Sequence, residues 1–92
     1  MRVIDAFEDM ASEVRSSLLA AERKYHSRWQ DDMLGSMFAD VAHTIDTHVV
    51  LKLALAKDAA DKGDKTATLQ ALNEAVGYIA VLRAKIEKRA KG

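Results

Sequence analysis

The chain contains no proline and only four glycines in 92 residues, so few positions force the backbone out of a helix. What remains is read most directly from the spacing of its apolar residues. Phe7, Met10, Val14, Leu18, Ala21 and Tyr25 recur every three or four positions and share one side of a first helix. Asp5 and Glu8, three apart just ahead of that stripe, have the form of a capping box, which places the first helix at about 5–26.

A second stripe runs Leu34, Phe38, Val41, Ile45, His48, Lys52, Leu55, Ala59, with Met37, Val49, Leu51 and Leu53 beside it. The apolar arc is therefore broad enough to touch more than one partner helix. Two starts fit this helix. Ser27-Arg28-Trp29-Gln30 resembles another capping box, and Gly35-Ser36 offers a later break. A start near Arg28 gives about 34 residues and roughly 51 Å; one near Met37 gives about 25 residues and roughly 37 Å. Both end at 61.

Asp61-Lys62-Gly63-Asp64-Lys65 is the clearest turn, with Gly63 suited to a left-handed C-cap and Asp64 or Thr66 to capping the next helix. Over 65–90, Leu69, Leu72, Val76, Ile79, Leu82 and Ile86 follow a spacing close to the 3.5 of a coiled coil. The short link makes the second and third helices antiparallel neighbours. The expected fold is thus all-α: one domain over 1–92, an up-down-up bundle of three long helices that dimerises. An extended helical hairpin is the alternative.

Composition narrows the function. The absence of cysteine removes disulfide frameworks and thiolate metal sites. Fourteen basic residues balance fourteen acidic ones, which argues against global attraction to nucleic acid or an anionic membrane. The local distribution is less even: residues 1–31 carry 5 basic and 6 acidic groups (net −1), 32–61 carry 2 and 5 (net −3), and 62–92 carry 7 and 3 (net +4). Such bias suits antiparallel neighbours or charge-matched subunits. The start lacks the apolar run of a signal peptide, and the run from Val49 to Ala56, interrupted by Lys52, is too short to span a bilayer. A cytoplasmic location follows as the default expectation.

Candidate chemistry is sparse. Asp40, His43 and Asp46 share a helix face and could offer a divalent metal two or three ligands, yet no Glu-x-x-His, HExxH, CxxC or glycine-rich phosphate loop occurs. Ser12, Ser16 and Ser17 have no histidine within a turn. His48 and Lys52 either lie in the helical seam, where polar groups set register and oligomeric state, or face water beside a core on the Met37, Val41, Val49 side. Tyr25, His26 and Trp29, beside Arg23, Lys24 and Arg28, form the main aromatic cluster. A second helix starting near Arg28 would make Trp29 and Met33 protrude toward a partner.

The leading expectation is a small helical protein–protein interaction module, an adaptor, inhibitor or assembly factor. It would act as a homo-oligomer, without catalysis, cofactor or metal, through Tyr25, Arg28, Trp29, Met33, His48 and Lys52. Two alternatives stand beside it: a nucleic-acid-binding accessory protein using the basic end with Lys85, Lys88 and Arg89, and a small metal-dependent enzyme using Asp40 and His43.

Overall fold

The computed structural model describes residues 1–25 and 41–91. Among them there is no strand; these residues are helical apart from the first two and one turn. Arg28, Trp29, Met33, Asp40 and both possible starts of the second helix lie outside the described residues.

Helix α1 is Val3–Tyr25. It begins two residues before Asp5, because the Ala6 amide already donates to the Arg2 carbonyl at 3.1 Å. Asp5 therefore does not cap; its carboxylate lies within the first turn, where the positive end of the helix dipole favours it, and Arg23 and Lys24 occupy the last turn.

Helix α2 covers residues 41–61 as α-helix at Val41–Thr44, a π-helical turn at Ile45–Val49 and α-helix again at Val50–Asp61. The Val50 amide reaches back five residues to the Ile45 carbonyl. Two features of the sequence favour the wide turn. Thr44, Ile45, Thr47, Val49 and Val50 crowd β-branched side chains against the preceding turn, and the Thr47 hydroxyl donates to the His43 carbonyl at 2.8 Å, a bond that bends helices.

Helix α3 is Lys65–Lys91, about 40 Å at 1.5 Å per residue. The turn before it is built from local chemistry. Gly63 takes φ 74°, its amide donates to Ala60, and the Asp64 amide donates to Ala59, which closes α2 in a Schellman motif. The Asp64 carboxylate then accepts the Ala67 amide at 3.0 Å and starts α3.

Two contacts set the hairpin register. His48 stacks on Tyr78, and Lys52 pairs with Glu74. These partners stand 15 and 11 residues on either side of Gly63, so α2 and α3 fold back about that glycine as antiparallel neighbours.

The buried side chains of α2 and α3 are mostly small or polar: Thr44, Ala56, Ala71, Ala75 and Lys85 are buried together with Val49, Val81 and Leu82, and His48 and Lys52 are half-buried. This corrects the stripe expected from spacing. Ile45 and Leu55 stand exposed, and Thr44 and Ala56 take their places. Positions 44, 48, 52 and 56 are four apart, a spacing that drifts about 40° per step in a straight α-helix. The π turn adds a residue to one turn and absorbs part of that drift. The stripe of α3 is displaced similarly: Ala71, Glu74, Ala75, Tyr78 and Leu82 line its inner side, leaving Leu69, Ile79 and Ile86 exposed.

Candidate functional site: a polar seam and the faces around it

At the centre of the hairpin, residues of unlike chemistry meet in two layers. In one, the His48 and Tyr78 rings lie 4.8 Å apart between centroids and 17° from parallel. In the next, one turn away, Lys52 Nζ approaches Glu74 Oε2 to 2.7 Å. The hydrogen bond from Lys52, opposed by partial desolvation, holds the Glu74 carboxyl below its ordinary range, with a smaller contribution from Gln70, which donates to Glu74 at 3.4 Å. The hydrogen bond to Glu74 likewise holds the Lys52 ammonium above its ordinary value against desolvation. Both groups are charged near neutrality. Glu74 keeps two-fifths of its side chain in water, so screening limits the pair to about 1 kcal/mol or less.

Neither His48 nor Lys52 faces water as one reading of the sequence allowed; both meet α3. Their partners, Tyr78 and Glu74, were not recognised from the sequence. The signal was present nonetheless, because once Gly63 is the centre of the turn, residues equidistant from it become neighbours.

Beside the seam, α1 approaches α3. Asn73 Nδ2 donates to Glu13 Oε2 at 2.6 Å, and Val14 is the buried residue of α1. Val14, Ser17, Leu69, Gln70, Asn73 and Gly77 help line a groove of about 560 Å³ between the two helices. Met10, Leu18 and Ala21, on the same side of α1, are half-buried, while Phe7 is 63% exposed.

The remaining candidates separate. His43 and Asp46 are exposed, and among the described residues no group of three or more His, Cys, Asp or Glu side chains could hold a metal ion. Tyr25 ends α1. Lys85, one of three residues expected to offer phosphate contacts, is only 2% exposed and contributes nothing to a basic surface. A lysine at that position follows Tyr78 by seven residues and so lies on the inner side of α3, which the charge run of the C-terminal segment concealed. No described helix is long and apolar enough to cross a membrane. Comparison with protein-family models, curated proteins and solved structures finds no match for the chain.

Proposed function

We propose that the protein is a helical interaction module that works by association, as a homo-oligomer, and not by catalysis. One observation carries this reading: large aliphatic side chains of α2 and α3 stand outside while alanines occupy buried positions. Among the described residues, alanines, a threonine and a lysine take five of the nine buried positions, with Val14, Val49, Val81 and Leu82 the larger exceptions. Val50, Leu51, Leu53, Leu55, Ile79 and Ile86 stand exposed. Scattered surface leucines are ordinary, but six large aliphatic side chains on one helical hairpin leave apolar area that a 92-residue chain cannot spare from its own core. Another helical surface that buries part of this area removes it from water at roughly 25 cal/mol per Å². A bundle completed between chains is the architecture this reading requires.

Light scattering across micromolar concentrations tests it. A mass of at least two chains and a thermal midpoint that rises with concentration are expected. A single-chain mass of 10.1 kDa at every concentration, with no shift in midpoint, would remove the proposal.

A further inference from the structure

The exposed aliphatic residues do not surround the hairpin evenly. Two antiparallel helices are exchanged by a two-fold axis perpendicular to the plane containing them. A residue one position after an inward-facing one, rotated by 100°, therefore lies on the same side of the pair whichever helix carries it. The residues following Thr44, His48 and Lys52 are Ile45, Val49 and Leu53; those following Ala71, Tyr78 and Lys85 are Leu72, Ile79 and Ile86. All six are apolar. Four are exposed, at 41% for Ile45, 47% for Leu53, 49% for Ile79 and 52% for Ile86. The residues preceding Ala71, Glu74 and Tyr78 are Gln70, Asn73 and Gly77, and these line the groove with α1. So α1 approaches α3 from one side of the hairpin, and Ile45, Leu53, Ile79 and Ile86 lie on the other.

We infer that this second side is the surface on which two copies of the chain pair, and that their four α2 and α3 helices form one bundle. The inference rests on the association reading above and names its surface and its partner. Three features select a second copy. The face is self-complementary in the sense an isologous contact needs, since both helices contribute apolar residues and a dyad can lay those of one helix on those of the other. Its charged neighbours, Lys57 and Arg83, have long stems that reach the rim, and Arg83 is already paired with Glu87 at 3.0 Å. Its size also suits: two helices about 10 Å wide and about 30 Å long present roughly 600 Å² in projection, close to the 800 Å² of accessible area each partner gives to a standard interface.

Charge then selects the orientation. Helix α3 holds six basic and two acidic residues (net +4), whereas residues 41–61 hold two basic and three acidic (net −1). Stacking α3 on α3 would set two strongly positive helices together. A dyad parallel to the helices instead lays each α2 across the α3 of the other copy, antiparallel to it, so that every neighbouring pair in the bundle is antiparallel.

Sedimentation of the full chain tests the surface. The expected mass is twice 10.1 kDa, and Ile79→Lys and Leu53→Lys are each expected to weaken the dimer roughly 100-fold or more, because each would bury an unpaired charge. Leu51→Lys, on the side of the hairpin that carries α1, is expected to leave it intact. Cross-linking reads the orientation in folded protein, since the chain has no cysteine of its own. In a mixture of Leu53→Cys and Leu72→Cys proteins, a short bis-maleimide is expected to join unlike variants several-fold more than like ones. A dimer indifferent to both lysine variants, or one joined mainly like to like, overturns this inference and leaves the association reading standing. A single-chain mass at all concentrations overturns both.

Discussion

The two sides of the α2–α3 hairpin are made from neighbouring positions of the same helices, yet they are treated differently. On one, α1 approaches and a polar contact, Asn73 to Glu13, joins it to α3 beside the buried Val14. On the other, Ile45, Leu53, Ile79 and Ile86 are open. The difference teaches that the packing of the hairpin and the association proposed for it would be carried by separate residues. Alanines at buried positions permit close approach of the helices, and the large exposed side chains are the area that the proposed association would cover.

Leu82 and Ile86 break or sharpen this contrast most sharply, because they are one turn apart and differ mainly in burial. Leu82→Ala is expected to destabilise by about 2–5 kcal/mol in chemical denaturation, as for other buried leucines. Ile86→Ala should cost less than about 1 kcal/mol at high dilution, and more as concentration rises and the outer face is covered. Equal, concentration-independent losses would show that the two residues share one core.

Ala75→Leu forces an inner position to carry a large side chain and should cost about 1–3 kcal/mol by overpacking, whereas Ile79→Leu, on the outer face, should change stability by less than about 1.5 kcal/mol. Next in size is the turn. At φ 74° a Cβ is strained whatever the space, so Gly63→Ala should cost about 1–2 kcal/mol and loosen both sides together. Asp64→Ala removes the cap of α3 and should cost about 1 kcal/mol.

The smallest expected effect belongs to the polar seam. The Glu74 carboxyl is held low in the folded chain, so its contribution to stability is present above the unfolded carboxylate value of about 4.3 and is lost as pH falls through the folded value. Lys52, held high, contributes below the unfolded lysine value of about 10.4 and loses that contribution as pH rises through its folded value. Between these limits the pair is flat with pH. Glu74→Gln should remove up to about 1 kcal/mol near neutrality and blunt the acid limb of a denaturation profile; an unchanged acid limb would show that the seam does not couple to stability.

How much of this was legible depended on the range of the interactions involved. The helical class, the turn at Gly63 and the cap at Asp64 follow from proline's absence, from a backbone conformation only glycine adopts cheaply, and from a carboxylate three residues from the amide it accepts. Each of those is decided within about five residues. Asp5 shows the limit even there, since the chain entered the helix two residues earlier. At the seam, His48 and Lys52 were visible as polar breaks in an apolar stripe, but their partners became visible only through the fold-back about Gly63.

What the sequence by itself determined, then, is that the chain makes long helices bearing apolar stripes, and where two of them turn. Only the tertiary structure decided which stripe goes inside. That choice compares whole helix faces against one another: the π turn at Ile45–Val49 rotated one face, alanines allowed the helices to close on their small sides, and the larger aliphatic residues were left outward. Spacing alone carries no information about which of two apolar faces a neighbouring helix will take, because burial is a property of the pair and not of either strip of sequence.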